Sequence, residues 1–323
     1  MFFICSCQSE FLKKTRAMNK INTKKICIIG AGRVGTTFAA AILNANTTGL
    51  KLTAISPGSE KSLKRAVKIL GEKAGSVDFF NNNADCAKFA DCILISTPDD
   101  AIEKVAAEIV NSDPGIVKGK IFIHFSGAKS LKVFAAVAKA GGYTASIHPI
   151  KSFASIENSI STLPGTIYGV TYPENKDKTT KEYINFFIAS LGGKIIEVDD
   201  NKKSMYHAAA CVASNYLVSL INYAVKIHES IGIKPEDSLN GLAGLIEGTV
   251  ANIKNLGPQK ALTGPIARGD TGTVKGHINE FKLFMKPGEE NIYKVMGAET
   301  AKIAFGNGWI KKETLKEFLK IFS

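Results

Sequence analysis

The sequence has few of the features that mark secreted, metal-binding or membrane proteins. Its 323 residues contain six cysteines, with no Cys-x-x-Cys pair and no His/Cys spacing suited to zinc. No apolar run approaches the roughly 20 residues that a membrane span needs. The apolar residues 2–5 are too few for the core of a signal peptide. We therefore expect a cytoplasmic protein in a reducing compartment, with no metal and no membrane partner.

The chain also lacks a concentrated basic segment. The net charge is +12, but the lysines are scattered and do not form a block interleaved with aromatic residues. A lysine-rich solvated surface is therefore favoured over nucleic-acid binding. The positive field would still attract a phosphate-bearing cofactor and a small anionic substrate.

A glycine turn near the N-terminus has the order of a dinucleotide site. Residues 25–29 are apolar enough for a buried strand, and they run into Gly30-Ala-Gly32-Arg33-Val-Gly35 and then an alanine-rich helix. In such a site Gly30 allows the tight turn, Gly32 admits a pyrophosphate and Gly35 lets helix and strand pack closely. The backbone of this turn, including that of Arg33 and Val34, would hold the diphosphate at the positive end of the helix. The alternative is an ordinary glycine-rich loop, which the flanking strand and helix make less favourable.

The end of the second predicted strand favours NADP over NAD. NAD-selective sites place a carboxylate there for the ribose 2′-hydroxyl, whereas this sequence has Ser56. Three cations, Lys61, Lys64 and Arg65, follow closely. Either they and Arg33 approach a 2′-phosphate, or some of them form a solvated helix face.

Short apolar strands alternate with helices up to about residue 199, which predicts an α/β fold with a Rossmann-type doubly wound parallel sheet. After residue 200 only helical patterns remain. We therefore predict three parts: a disordered extension over 1–23, an NADP-binding domain over 24–199, and an all-helical substrate and dimerisation domain over 200–323. Because Met18 is a natural initiator, residues 1–17 are either a disordered extension or an artefact of start-site choice. Ligands lie beyond the carboxyl ends of parallel strands, and there the sequence has Thr97, Pro98, Ser126, Gly127, His148 and Lys151. The pair Asp99 and Asp100 is interpreted as capping the following helix.

Three groups of side chains are candidates for chemistry. Lys203, His207, Cys211 and Asn215 follow one another at four-residue steps and so share a helical stripe. His207 and Asn215 are interpreted together as functional, whereas either residue alone would be interpreted as a satisfied core group. His148 and Lys151 are alternative proton donors, and Arg268 either clamps a substrate carboxylate or pairs with Asp270.

Six ordered motifs resemble one known group of proteins. They are Gly30-Ala-Gly-Arg-Val-Gly35, Thr97-Pro-Asp-Asp100, His124-Phe-Ser-Gly-Ala128, His148-Pro-Ile-Lys-Ser-Phe153, the segment from Tyr206 to Tyr216, and Thr263-Gly-Pro-Ile-Ala-Arg-Gly-Asp270. Over residues 24–277 the chain resembles Rossmann-like and DUF2520 domain proteins of the 6-phosphogluconate dehydrogenase-like superfamily. The resemblance implies an NADP-dependent reductase that forms a homodimer through its helical domain, with ketopantoate reductases among its members.

The resemblance also raises a specific difference. Hydroxyacid dehydrogenases and ketopantoate reductases of the superfamily carry a catalytic lysine one turn before an asparagine on the first interdomain helix. Asn215 matches that asparagine, while Cys211 stands at the lysine position, so His207 or Lys151 would take its role. We expect NADPH on the glycine turn with its 2′-phosphate near Ser56 and its nicotinamide near Thr97, Pro98 and Ser126. His148, Ser126 and Arg268 would bind the substrate, and His207, Asn215 and Lys151 would be catalytic.

Three functions remain compatible with these residues. The first is reduction of a small 2-oxo acid, with 2-dehydropantoate to pantoate as the leading reaction. The second is reduction of an imine, as in pyrroline-5-carboxylate reductase, where an already protonated substrate needs less acid catalysis. The third is a regulatory NADP-binding protein without turnover, which the fold alone does not exclude.

Overall fold

A computed structural model of the protein describes residues 23–45, 47–173 and 177–323. These fall into two compact units that divide between Ser214 and Asn215. The predicted extension over 1–23 lies, apart from Thr23, outside the described residues. The division lies within a helical run that begins at Lys203, some fifteen residues after the change of sequence pattern at 200. We describe each unit by itself.

The first unit is built on one eight-stranded sheet, in the order β3-β2-β1-β4-β5-β6-β7-β8. The strands are β1 Lys24–Ile29, β2 Leu50–Ser56, β3 Asp78–Phe79, β4 Cys92–Ile95, β5 Ile121–His124, β6 Tyr143–Pro149, β7 Ile167–Thr171 and β8 Lys194–Glu197. All neighbours are parallel except β6 and β7. The predicted Rossmann-type α/β fold is confirmed, with one reversal of direction, so that β7 and β8 run opposite to the other six strands.

Helices cover both faces of this sheet. They are α1 Arg33–Asn44, α2 Glu60–Leu70, α3 Asn83–Lys88, α4 Ile102–Ser112, α5 Ala135–Lys139, α6 Ile156–Ser161, α7 Lys178–Ser190 and α8 Lys203–Cys211. The sheet lies between two apolar clusters, which is why its central strands are continuous apolar runs. Cys27 and Cys92 are fully buried within them, as expected of small core residues.

The interpretation of Asp99 and Asp100 as helix caps is wrong. The residues after β4 form a turn, and α4 begins only at Ile102, with Ala101 at its N-cap position and no capping side chain. Instead, the Asp99 carboxylate accepts a hydrogen bond from Ser126 at 2.7 Å. An aspartate after a strand is typical of a cap, and the sequence does not show that a hydroxyl from the next strand's loop will reach it.

The second unit is helical, as predicted. A π-helical segment, Val212–Tyr216, leads into α9 Leu217–Ser230, and then come α10 Pro235–Leu256, α11 Thr271–Phe284, α12 Asn291–Gly306 and α13 Lys312–Phe322. A small core joins α11, α12 and α13 through Val274, Ala301, Ala304 and Phe318. In contrast, α9 has no buried residue and α10 has only Ser238.

One helical run is apolar enough to be a membrane-span candidate. Asp200–Ser230 has a window of mean hydropathy 1.4, and 6% of that window is buried. The sequence offered no continuous apolar run there because polar residues such as His207 and Asn215 interrupt it. Length and composition alone define this candidate.

Candidate functional site

The glycine turn lies where β1 meets β4. Gly30 has a φ of 97°, and a β-carbon there would lie 2.9 Å from the backbone of Ser96. A β-carbon on Gly35 would lie 2.0 Å from the Gly30 carbonyl oxygen and 2.4 Å from Ser96 Oγ. Around Gly32 a β-carbon would meet no atom within 4 Å. Two glycines are thus needed for packing within the protein, while the third faces open space.

The start of α1 fits an anionic group in that open space. Gly32 is its N-cap, no side chain caps it, and its first turn contains no acidic residue. Its first backbone N–H groups, including those of Arg33 and Val34, therefore have no intrahelical acceptor. Across the turn, Thr97 Oγ1 is buried without a hydrogen-bond partner among the described residues. Unpaired donors and a buried orphan hydroxyl beside an uncovered glycine are what a dinucleotide diphosphate requires. Pro98, which follows, is exposed.

Among the residues predicted to approach a 2′-phosphate, Ser56 is buried and Arg65 lies against the glycine turn. Ser56 is 2% exposed and its hydroxyl donates to Asn83 Oδ1 at 2.7 Å, so its hydrogen is already used within the protein. Lys64 forms a solvated pair with Glu60 at 2.7 Å. Arg65 is half-buried and donates from Nη2 to the carbonyl of Ala31, inside the glycine turn, at 2.7 Å. Of the cations beyond β2, Arg65 is therefore the one held against the turn.

Ser126, after β5, has a saturated hydroxyl. It donates to Asp99 at 2.7 Å and accepts from the backbone N–H of Ala128 and of Lys129 at 3.2 and 2.9 Å. A hydroxyl has one hydrogen and two lone pairs, so all three sites are in use. In this structure the side chain therefore fixes the loop that contains Gly127. Direct contact with cofactor or substrate through Ser126 stays a prediction.

His148 ends β6 and is oriented by Tyr206 from α8. Its Nδ1 lies 2.9 Å from the Tyr206 hydroxyl. Tyr206 fits there because a β-carbon on Gly169 would lie 2.1 Å from its hydroxyl oxygen. Burial, then the neighbouring charges of His207 and Lys203, lowers the pKa of His148 to about 4. The ring is thus neutral at pH 7, and when Nδ1 accepts from Tyr206 its single N–H lies on Nε2.

His207 meets His148 over a glycine. Their ring centroids are 5.8 Å apart, and a β-carbon on Gly127 would lie 2.6 Å from His207 Cδ2 and 2.9 Å from His148 Nε2. One turn further along α8, Cys211 Sγ lies 3.7 Å from His207 Nδ1. The structure therefore brings together two of the predicted residues, His148 and His207, over the backbone of Gly127.

No specific role was predicted for Lys203 from the sequence, yet its side chain contacts the strand and the loop that carry His148 and Gly127. It is 1% exposed, and its Nζ donates to the Ser126 carbonyl at 3.1 Å and to Ser146 Oγ at 2.6 Å. Burial lowers its pKa to about 8, while Asp200 and Asp99 oppose that effect. The sequence feature that could have identified Lys203 is its position four residues before His207 on an alanine-rich helix face. No sequence feature identifies Tyr206 as the partner of His148, because the space for its ring depends on Gly169 in another strand.

The remaining predicted residues lie elsewhere. The Lys151 ammonium donates to Thr162 Oγ1, and the described residues give it no hydrogen bond to the histidines. Asn215 and Arg268 belong to the second unit and are both exposed. Asp270 caps α11 through the N–H of Thr273 at 2.9 Å, and none of the ion pairs among the described residues includes Arg268. The catalytic roles of Lys151 and Asn215 and the substrate-binding role of Arg268 stay predictions.

Two family models match the sequence. One, described as a Rossmann-like domain, matches residues 13–149. The other, described as a domain of unknown function, DUF2520, matches residues 171–300. This chain carries a Rossmann-like domain followed by a DUF2520 domain. The predicted domain resemblance is confirmed, and the His148 loop beyond residue 149 and most of β7 lie between the two matches. No curated protein matches the sequence.

Solved structures share the fold of this Rossmann-like and DUF2520 protein over nearly its whole length. A protein of Thermotoga maritima is 21% identical, with a TM-score of 0.63, over 88% of this chain and 99% of that one. The pyrroline carboxylate reductase of Plasmodium falciparum, solved with NADP bound, is 16% identical, with a TM-score of 0.55, over 94% and 100%. An imine reductase from Myxococcus stipitatus, in complex with NADP+, is 15% identical, with a TM-score of 0.60, over 91% and 99%. At these identities the likeness establishes the fold alone.

Proposed function

We propose that this protein is an NADPH-dependent reductase. The observation that carries the proposal is the uncapped start of α1, where Gly32 is uncovered and the buried Thr97 hydroxyl has no partner. Bound NADPH supplies a hydride from its nicotinamide. Two similar structures, the pyrroline carboxylate reductase and the imine reductase, contain NADP, which supports the same cofactor here.

Arg65 is proposed to select NADPH over NADH. It replaces Ser56 as the leading 2′-phosphate contact, because the Ser56 hydroxyl is buried against Asn83. Arg65 is anchored to Ala31 through Nη2, and its Nε is buried without a partner among the described residues. Ser59 and Ser62, at the start of α2, lie beside it, with Ser62 Oγ 3.3 Å from Nη2.

The test compares Arg65→Met with Lys64→Met, a solvated neighbour on the same helix. Hydrogen bonds to charged groups contribute about 1.5–3 kcal/mol, so Arg65→Met should weaken NADPH binding by at least about tenfold and leave NADH binding within about twofold. Lys64→Met should change neither. An equal loss for both cofactors in Arg65→Met would mean that Arg65 only supports the turn.

For the substrate, our leading proposal is a small 2-oxo acid, with 2-dehydropantoate first. The carbonyl would lie against Gly127, where the Nε2–H of neutral His148 is available and Tyr206 orients the ring. In the balanced reaction the carbonyl would gain a hydride from NADPH and a proton from His207 or Lys151, and would become the alcohol. Arg268 remains the proposed carboxylate ligand and Asn215 the proposed carbonyl ligand.

A cyclic imine is the second candidate, and one observation favours it. His148 has a pKa of about 4, and burial raises the pKa of Tyr206, so neither is a strong acid at neutral pH. An iminium substrate already carries its proton and needs none from the protein. The regulatory alternative would bind NADPH without oxidising it on any substrate.

We also propose that the protein is a homodimer through α9 and α10. Between residues 216 and 256, eleven large apolar side chains are each at least 37% exposed. A groove of about 300 Å³ between α9 and α10 has an almost wholly apolar lining. A stable interface buries about 800 Å² per partner, which these side chains can supply. A second copy of the same helices would cover them, and the membrane-span candidate Asp200–Ser230 would be an interface helix.

A further inference from the structure

Lys203 is a buried cation that the proposed reaction has not used. It is among the largest fully buried side chains of the described residues, and lysine is almost never fully buried without a charged partner. The eight ion pairs among the described residues do not include it. Its two hydrogen-bond acceptors are neutral. Burying an ammonium in this way is costly, and packing alone would be served better by methionine or leucine.

The two hydrogen-bond acceptors of Lys203 belong to two neighbouring parts of the sheet unit. Ser146 lies in β6, two residues before His148, and Ser126 lies in the loop after β5, one residue before Gly127. Nζ bridges them, and Ser146 Oγ also donates to the Ser126 carbonyl at 3.3 Å. The ammonium therefore fixes the spacing between the backbone of Gly127 and the strand that ends in His148.

The groups around Lys203 come from four elements. Asp200 and His207 are on or next to its own helix, and Asp99 follows β4. His124 ends β5, and its pKa is lowered to about 3 by burial and then by the charge of Lys203. His148 ends β6, and Lys203 is also among the charges that lower its pKa. A positive charge thus faces two imidazoles on adjacent strands.

We propose that Lys203 is a positioning residue of this site: its ammonium ties the Ser126–Gly127 loop to β6 and places a fixed positive charge behind His148 and His124. The inference rests on the proposed function for the reaction that the site performs. Lys203 does not reach the substrate; it acts through Gly127 and His148. Burial and the charge of His207 are the larger causes that lower the pKa of His148, and the charge of Lys203 adds to them while Lys203 is protonated.

The direct test follows the histidine side chains by NMR between pH 5 and pH 10, with signals assigned through His148→Gln and His124→Gln. In the wild type neither histidine should titrate near pH 6.5, and both signals should show an inflection near pH 8, where Lys203 loses its proton. This measurement needs neither substrate nor turnover.

Three variants separate charge from packing. Lys203→Met and Lys203→Arg should both abolish the inflection near pH 8, because neither side chain titrates there, and Lys203→Met should raise the pKa of His148. If Lys203→Met does not fold, Lys203→Arg retains the charge and decides the result. Lys202→Met, a neighbour that is 72% exposed and paired with Asp199, should leave all signals unchanged. An inflection that persists without Lys203, or none in the wild type, would overturn the proposal.

Turnover separates this inference from the proposed function. If the protein reduces a substrate, kcat/KM should fall as the pH rises through about 8 in the wild type, and this fall should disappear in Lys203→Arg. An alkaline fall that survives in Lys203→Arg would contradict the role of Lys203 in the reaction. If the NMR inflection is present but no substrate is reduced, the placement of Lys203 stands and the reductase proposal fails.

Discussion

At the scale of single residues, the orientation of His148 depends on one hydroxyl. Tyr206 lies 2.9 Å from His148 Nδ1 and occupies the space that a side chain at Gly169 would fill. When Tyr206 donates this hydrogen bond to Nδ1, the ring proton lies on Nε2, which is the nitrogen that faces Gly127. The sequence placed His148 at the site through its position after a strand, but gave no indication of Tyr206 as its partner.

Removing that hydroxyl should impair turnover without unfolding the protein. We expect Tyr206→Phe to lower kcat/KM by about tenfold, the equivalent of one lost hydrogen bond to a buried nitrogen, with unchanged NADPH affinity. Steady-state kinetics and a binding titration provide the measurement. Tyr172→Phe, which removes a hydroxyl bound to Asn185 on the same unit, is the control, and equal losses in both variants would refute a specific role.

The buried histidines should also make stability depend on pH. His124 has a pKa of about 3 in the folded protein and about 6.5 when unfolded. The unfolded chain therefore binds the proton first, and stability is lost as the pH falls from about 6.5 towards 3. At one pH unit below 6.5 the loss is about 1.4 kcal/mol for this residue. Denaturant unfolding of wild type and His124→Gln should show a shallower acid dependence in the variant; parallel curves would contradict this.

At the scale of elements, the alternation of strands and helices and the place of the glycine turn could be predicted, because the apolar runs and the glycine turn are local patterns. The helical character of the second unit also follows from the sequence, because no strand pattern occurs after residue 200. The role of Asp99 could not be predicted, because it depends on a hydroxyl that arrives from another strand's loop. For the same reason Lys203 stood out only as one of four residues on a stripe. Local conformation could thus be predicted from the sequence, whereas contacts between distant elements could not.

The glycine turn allows packing and binding to be separated. Gly32→Ala meets no atom within 4 Å and should leave thermal stability unchanged, while it weakens NADPH binding by at least about tenfold because the β-carbon enters the phosphate space. Gly35→Ala would clash with the Gly30 carbonyl and Ser96 and should also lower the melting temperature, since overpacking costs about 1–3 kcal/mol. Thermal melts with and without NADPH distinguish the two. Unchanged NADPH affinity in Gly32→Ala would remove the main support for the cofactor site.

At the scale of the whole molecule, the two units differ in how completely they bury their apolar residues. The sheet unit has a core on both faces, whereas α9 and α10 have almost none. The proposed homodimer would account for this difference and for the apolar character of Asp200–Ser230. A cytoplasmic location stays a prediction.

A charged side chain introduced into the exposed apolar face of α9 and α10 should therefore weaken the proposed dimer. Leu245 is 67% exposed within the groove-lining set on α10, and Leu245→Glu should convert a dimer to a monomer or a concentration-dependent mixture. Light scattering coupled to size exclusion gives the mass directly. Lys282→Glu, an exposed charge change on α11, should remain dimeric. A monomeric wild type would end the proposal.

We propose that the protein transfers hydride from NADPH to a small substrate. The most direct measurement is loss of NADPH absorbance when 2-dehydropantoate is added, with pyruvate, 2-oxoisovalerate and pyrroline-5-carboxylate as comparison substrates. The account predicts oxidation of NADPH by one of them, selective for 2-dehydropantoate if the leading proposal is right and for the imine if the second is. Tight NADPH binding with no oxidation by any of the four would contradict the reductase and favour a regulatory NADP-binding protein.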